Sequence, residues 1–398
     1  MENKSSAENK NRIEIEETVK DNALSVQTIV KALYDNPEIG CEEVYAHDLI
    51  TSWLEVNGFA VTRNFGMPTG FLGEYGIKGS GPTIAFPAEY DALPDIGHGC
   101  AHNLFGGISL LAAKAMQAVV NEMGGQVLVI GTPAEENFGG KIKMVELGVF
   151  DEVDAALMIH PSNKNGLGGT TLALNPIKFE FFGKNAHGCK AYEGASALDA
   201  AVLAFTAINL QRQFLKENCY IHGVIREGGT AANVIPAYAS LEYYFRAPKM
   251  STALAMTEDA ANRAKAAASA SSCTMKHSIY ECPYGEILLN EKLAELIQAE
   301  FIQLGRTEIE PLVHTPQGSS DVGAVSYVCP TLHAYIKIAD AEVVGHSKEM
   351  AAATISEEGN KALEDGAAAL ALTANTLLHQ PDVLQACQLE FQKKKGRS

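Results

Sequence analysis

Between residues 83 and 160 the chain switches repeatedly between short apolar runs and helical periodicity, and few architectures accept that order. "PTIAFPAEYD" reads as a strand, Leu104 to Val120 as a helix, "GGQVLVIGTPAEE" as a strand, Ile142 to Leu147 as a helix and "DAALMIHP" as a strand. Strands alternating with helices form a mainly parallel sheet flanked by helices, an α/β fold. In such sheets ligands settle beyond the carboxyl ends of the strands. The residues with reactive side chains fall there: Asp91 and Cys100 after the first strand, Glu135 and Glu136 after the second, His160 closing the third. Upstream, "EIEETVKDNALSVQTIVKALYDNPEIG" and "EEVYAHDLITSWLEVNGF" carry apolar residues at helical spacing and predict two N-terminal helices.

The texture changes near Leu172. "PIKFEFFG" alternates like a half-exposed strand, "ASALDAAVLAFTAINLQRQFLK" is a long helix, and "YIHGVIREGG" and "YASLEYYFRAP" are strands. "STALAMTEDAANRAKAAASA" is a second helix and "TMKHSIYEC" a last strand, completing the order βαββαβ of a ferredoxin-like unit. After it, "LNEKLAELIQAEFIQLG", "PTLHAYIKI" and "EEGNKALEDGAAALALTANTLL" resume the first texture. At 398 residues the chain is too long for one ordinary core. The expected organisation is a catalytic domain in two pieces, 1–172 and 285–398, interrupted by an inserted domain, 173–284.

A net charge of -17 repels phosphate, which disfavours nucleic acid and anionic membrane surfaces and leaves a small molecule or a protein as partner. "MENKSSAENKNRIEIEE" has no apolar signal region, and no run approaches the roughly 18 apolar residues of a spanning helix, so a cytoplasmic location is expected. Eight scattered cysteines without CxxC spacing read as reduced thiols, mostly buried. The basic "QKKKGRS" reads as a solvated tail.

In "EYDALPDIGHGCAHNLFG", His98, Cys100 and His102 occupy every second position of a short turn. Three readings fit it: a metal site, a Cys/His nucleophile, or a buried turn with clustered polar side chains. An isolated acid pair is ordinarily surface charge, but Glu135 and Glu136 follow "VLVIGTP" and precede "NFGGK". Adjacent carboxylates at a non-helical position point in different directions, so one can ligate a metal while the other faces its water. A lone histidine closing a strand, as His160 does, is more often a core or cap residue, and His346 in "VVGHSKEM" says little by itself.

In their shared order these signals resemble the M20 metallopeptidase family, in particular its amidohydrolase branch of aminobenzoyl-glutamate hydrolases and M20-domain dipeptidases. The resemblance covers almost the whole chain. "EYDALPDIGHGCAHNL" looks like the DALP...GHACGHN signature, "PAEE" the catalytic acid pair and "GKNAHG" the histidine of the lid. "GGTAANVIP" and "YYFRAP" look like substrate-carboxylate elements, and "GSSDVGAVSYVCPTLHAYIKI" like the C-terminal segment. The resemblance implies a two-metal α/β catalytic domain and a ferredoxin-like lid through which the chain forms a homodimer, with a higher oligomer as a further option. It makes Cys100 the ligand shared by both metals, with Glu136 and His346 completing one position and His102 and His160 the other. Thiolate and imidazole favour Zn, and Mn, Co or Ni could be accommodated. His98 and Asp91 would support the ligands rather than bind.

The resemblance further implies hydrolysis of an amide bond in an N-acyl amino acid or dipeptide-like substrate carrying a free carboxylate. Glu135 would be the general base, His187 from the partner's lid would stabilise the oxyanion, and Arg246 with Asn233, beside Gly228 and Gly229, would hold the substrate carboxylate. A metal-bound sensor or scaffold without turnover is the alternative. Two departures from the family pattern stand out: Ala101 replaces the usual Gly between Cys and His, and Gly188, Cys189 and Lys190 follow His187 in place of small, often Pro-containing residues.

Overall fold

A computed structural model describes residues 2–396. They divide into two compact units, one of residues 2–170, 287–315 and 321–396 and the other of residues 171–286 and 316–320.

The first unit is built on an eight-stranded sheet. Its order is Ala60–Arg63, Phe71–Gly76, Gln126–Gly131, Thr83–Ala88, Ala155–Ser162, Thr331–Lys337, Asn165–Gly166 and Ile309–Glu310. Thr83–Ala88 runs parallel to both Gln126–Gly131 and Ala155–Ser162, and Ala155–Ser162 runs parallel to Thr331–Lys337. Every residue of Thr83–Ala88 and Gln126–Gly131 is buried, as expected of strands covered on both faces. On one face the helices Glu2–Asp35, His102–Ala115 and Glu357–His379 pack through Val26, Val30, Leu104, Ile108, Leu363 and Leu370. On the other, Met144, Phe150, Val325 and Cys329 meet Ala85, Leu128 and Ala156 of the sheet. The alternation from residue 83 to 160 thus places its strands side by side.

Two sequence expectations need correction. The helical stretch His102–Met123 is long and apolar enough to span a membrane, contrary to the absence read from the sequence. Its most apolar window is 83% buried within the protein, where it serves the core. The basic run near the C-terminus is solvated at Lys393 and Lys395 but, as far as it is described, is no irregular tail: it ends the helix Pro381–Lys395, and Lys394 pairs with Glu390 at 2.7 Å and Glu291 at 3.0 Å.

The second unit is a four-stranded antiparallel sheet in the order Thr274–Ile279, Ala173–Phe182, Tyr238–Ala247, Tyr220–Glu227. In chain order that is 4-1-3-2, and the helices Ala197–Asn209 and Met250–Ala270 bury Ala200, Ala204, Ala260 and Ala264 with Phe179, Phe181, Leu241 and Phe245. The small helical side chains let the helices lie close to the aromatic face of the sheet. An unforeseen two-stranded ladder joins Ala186–His187 to Val234–Ile235.

Candidate active site

The site lies in the first unit at the carboxyl ends of its parallel strands. Immediately after Ala88 the chain presents Glu89 and Asp91, then turns through Cys100 into the helix that starts at His102. Gly106 lets that helix press on the strand end, because a Cβ there would come 2.7 Å from the carbonyl oxygen of Glu89. Ala101 adopts φ 61° and ψ 24° and is fully buried, so the residue replacing the family's glycine does occupy the left-handed region. For a residue with a Cβ that conformation costs on the order of 1–2 kcal/mol. Ala134, just before the acid pair, and His346 share it, with φ 60° and 58°. Strained backbone thus flanks or carries three of the elements that converge here.

The donor atoms of Cys100, His102 and His160 all lie within 4.8 Å of one another, as do those of Cys100, Glu136 and His346, and those of His102, Glu135 and Glu136. Cys100 belongs to two of these groups. Its sulfur is 3.6 Å from His160 Nε2. His160 Nδ1 is 2.7 Å from the Pro161 carbonyl, which needs the proton on Nδ1 and leaves the Nε2 lone pair facing Cys100. Burial holds the His160 imidazole down at about 4, so the ring is neutral at pH 7 and free to act as a lone-pair donor. His102 turns Nδ1 to Asp91 Oδ1 at 2.9 Å, which points Nε2 into the cluster. Asp91 uses its other oxygen to accept the backbone N–H of Glu136 at 3.0 Å. One buried carboxylate therefore fixes both turns of the site.

Burial pushes the Cys100 thiol up to about 12, and Glu136 and Glu135 push the same way. Burial also raises the Glu135 carboxyl well above its usual range, with Asp321 and Glu89 adding to it. A thiol and carboxylates forced together in this way favour a cation among them. His102 Nε2 and Glu136 Oε1 are buried without a well-formed hydrogen bond and face Glu89 Oε2 at 3.1 Å and His346 Nε2 at 3.4 Å, and such a set beside a thiol and a neutral imidazole fits a soft-to-borderline divalent metal. His346 completes the second group from an exposed loop: its backbone N–H donates to Gly99 O at 2.9 Å, and its Nε2 is 3.4 Å from Glu136 Oε1. His98 is 2% exposed and stands outside all three groups.

The acid pair is held from behind. Glu43, fully buried, accepts the Ala134 N–H at 2.8 Å and the Thr69 hydroxyl at 2.8 Å. Gly140 lets the next helix tuck under Pro133, since a Cβ there would come 2.0 Å from the Pro133 carbonyl oxygen. Sequence reasoning missed Glu43, and also Glu89, Lys141, Asp321, His333 and Tyr335. Lys141 is fully buried between Glu89 Oε1 at 2.5 Å and Asp321 Oδ1 at 2.7 Å. The rings of His333 and Tyr335 lie 5.9 Å and 6.0 Å from that of His160. Their alternate positions in "PTLHAYIKI", a strand parallel to the one carrying His160, were the available signal.

The remaining candidates belong to the second unit, where the structure brings some together and separates others. His187 pairs with Val234 in the short ladder, Gly188 N–H donates to Asn233 O at 2.8 Å, and His187 Nδ1 accepts from Cys189 N–H at 3.1 Å. Gly228 and Gly229 line a cavity of about 480 Å³ with Asn185, Arg226 and Val234. Arg246 is elsewhere. It lies at the far end of Tyr238–Ala247, opposite Leu174 and Tyr220, and donates to Ser319 Oγ at 2.7 Å. Eight strand steps separate it from Tyr238, about 27 Å at the usual rise. Within one chain the strand between them therefore holds Arg246 and Asn233 at opposite ends of the sheet, so their expected cooperation on one carboxylate would need residues from two copies.

Residues 85–376 match the model of peptidase family M20/M25/M40. The chain belongs to that family. It is 34% identical to the Xaa-Arg dipeptidase of Mus musculus over 394 residues, covering 95% of this chain and 91% of the relative. It is 36% identical over 279 residues to one of the subunits of p-aminobenzoyl-glutamate hydrolase of Escherichia coli K12, covering 64% of this chain and 56% of the relative. An aminobenzoyl-glutamate utilization protein from Klebsiella pneumoniae shares the fold with a TM-score of 0.69 at 19% identity, over 90% of this chain and 98% of that one. So does a dinuclear metal-binding M20 peptidase from Bacillus subtilis, with a TM-score of 0.64 at 20% identity, over 89% and 99% of the two chains. As a member of the M20 family this chain is a hydrolase of the peptidase and amidohydrolase class.

Proposed function

We propose that this M20 hydrolase cleaves the amide bond of an N-acyl amino acid or dipeptide-like substrate whose amine-side product carries a free carboxylate, with two divalent metals bound. The observation that carries the reading is that Cys100 belongs to two separate donor groups, one with His102 and His160 and one with Glu136 and His346, while Glu135 stands beside both. The names of its relatives support the substrate class: Xaa-Arg dipeptidase, p-aminobenzoyl-glutamate hydrolase and, at 27% identity over 54% of this chain, N-acetyl-L-cysteine deacetylase of Bacillus subtilis. The thiol and imidazoles favour zinc.

Held by Cys100, His102, His160, Glu136 and His346, the metals would supply an acidified water and positive charge for the developing oxyanion. Glu135 takes the proton of the attacking water and delivers it to the leaving nitrogen, since an unprotonated amine leaves poorly. The raised proton affinity of Glu135 suits that double duty. Arg246 binds the substrate carboxylate. His187 stabilises the tetrahedral oxyanion with Asn233 beside it, both supplied by the partner in a homodimer. Support for that assignment is the separation of Arg246 from the His187–Asn233 pair along one strand. The experiment is a screen of the metal-loaded protein against dipeptides and N-acyl amino acids, with the released amine measured by mass spectrometry. Release that requires both added metal and a free carboxylate supports the reading, and cleavage of carboxyl-blocked analogues at equal rates overturns it.

A further inference from the structure

Lysine is almost never fully buried unless it is paired. Lys141, with no exposed side chain, has two carboxylates within salt-bridge distance, Glu89 Oε1 at 2.5 Å and Asp321 Oδ1 at 2.7 Å. All three side chains are 0–2% exposed. Asp321 also accepts the backbone N–H of Lys141 at 2.9 Å, so it pins both ends of that residue at the start of the helix Gly140–Glu146. Taking charges this far from water is expensive, and removing one partner of such a group leaves an uncompensated buried charge. An apolar trio of the same volume would fill the space at least as well. The reaction described above gives none of the three a direct part.

The free end of the chain of charges shows what they do. Lys141 occupies only one oxygen of Glu89. The other, Oε2, is buried without a hydrogen bond and lies 3.1 Å from His102 Nε2, which also lacks one. His102 Nδ1 is committed to Asp91, so Nε2 is its metal-facing nitrogen. Glu89 stands outside the three donor groups, so this contact sets its carboxylate beside the metal-facing nitrogen of His102 as a supporting charge rather than as a further direct ligand. Gly106 keeps the backbone of Glu89 in contact with the helix that begins at His102, so the two side chains cannot easily separate.

We propose that Lys141, pinned by Asp321, is a positioning residue that holds Glu89 as an additional carboxylate on the His102 side of the metal cluster. The proposal rests on the two-metal reading above and deepens it. Glu89 adds negative charge to the position formed by Cys100, His102 and His160, and contributes nothing direct to the one formed by Cys100, Glu136 and His346. The network therefore makes the two positions unequal, and its loss weakens one of them.

The test is metal binding by the stripped full-length protein, titrated with Zn²⁺ and followed with Co²⁺ by absorption, without reference to turnover. The wild-type chain takes up two ions; a wild type that takes up none overturns the two-metal reading itself, before any variant is made. Glu89→Gln keeps shape and leaves the Lys141–Asp321 pair intact, whereas Lys141→Met removes the clamp. Each is expected to weaken one ion about 10–100-fold, the usual effect of losing a partner beyond the direct ligands, and to leave the other unchanged. The altered Co²⁺ spectrum should accompany the weakened ion alone. Two ions at wild-type affinity in folded Glu89→Gln overturn the proposal. So does equal weakening of both ions, which marks a role in general stability. If Lys141→Met does not fold, Glu89→Gln decides by the same two criteria.

Discussion

Asp91 stands 2.9 Å from His102 Nδ1 and, through its second oxygen, 3.0 Å from the backbone nitrogen of Glu136. It ties together two turns that lie 45 residues apart in the chain. Asp91→Asn keeps the size but loses the charge, and its amide can orient only one oxygen. The expected result is a 10–100-fold loss of metal affinity. Unlike Glu89→Gln it should affect both ions, because Asp91 supports a donor in each group. Elemental analysis after dialysis against a metal buffer checks it, and a variant retaining two ions at parental affinity rules the role out.

Glu135→Gln should keep both metals and lose activity. Glutamine preserves volume and hydrogen bonding but cannot accept the proton, and a general acid–base group contributes about 10²–10⁴-fold. Turnover within about threefold of the parent would exclude Glu135 as the base, well inside that range.

Cys100→Ser separates the metal reading from a cysteine nucleophile. If the thiolate belongs to both positions, metal content and activity fall together, since a hydroxyl gives up its proton far less readily than a thiol. Parallel measurement of bound metal and rate decides it. A fully loaded but inactive serine variant would favour the nucleophile.

The place of the candidate donors was legible in the sequence because Cys100, Glu136 and His160 follow apolar runs, where a parallel sheet gathers its ligands, while their reading as one ligand set came from the family resemblance. The Glu89–Lys141–Asp321 network was not. A charged residue in isolation reads as surface, and nothing local says that Lys141 and Asp321, 180 residues apart, meet in a dry space. The separation of Asn233 from Arg246 within one chain was hidden for the opposite reason. The two are close in sequence, but the strand Tyr238–Ala247 carries Arg246 to the other end of the sheet. Ala101 was legible in part: its departure from glycine was visible, and only the backbone revealed φ 61°.

Acid should destabilise the metal-free protein through His333. Burial, with His160 adding to it, holds this imidazole down to about 3, against an ordinary value near 6.5. Between those values the unfolded chain binds a proton at His333 that the folded chain does not, so stability falls as pH drops from about 6.5 toward 3. His333→Phe abolishes that contribution. Comparing unfolding midpoints at pH 7 and pH 5 in chelator, the wild type should lose more stability on acidification than the variant. Equal losses would show that His333 titrates alike in both states.

In the second unit His187 lies on the ladder Ala186–His187/Val234–Ile235 with Asn233 just before its second strand, while Arg246 occupies the far end of the main strand. The edge strand Tyr220–Glu227 exposes Val224 and Ile225, at 56% and 44%, and an unpaired apolar edge is a natural surface for a second copy. If two copies pair through this unit, His187 of one serves the metal cluster of the other. A heterodimer of His187→Ala and Glu135→Gln subunits then contains one composite site with both groups intact and one with both lost. Activity should recover toward half the wild-type rate, although each homodimeric parent is impaired. If every site uses its own His187, each site in the mixed dimer carries one lesion and no recovery is possible. Two affinity tags isolate the mixed dimer, and a rate no higher than the average of the two parents would falsify the shared site.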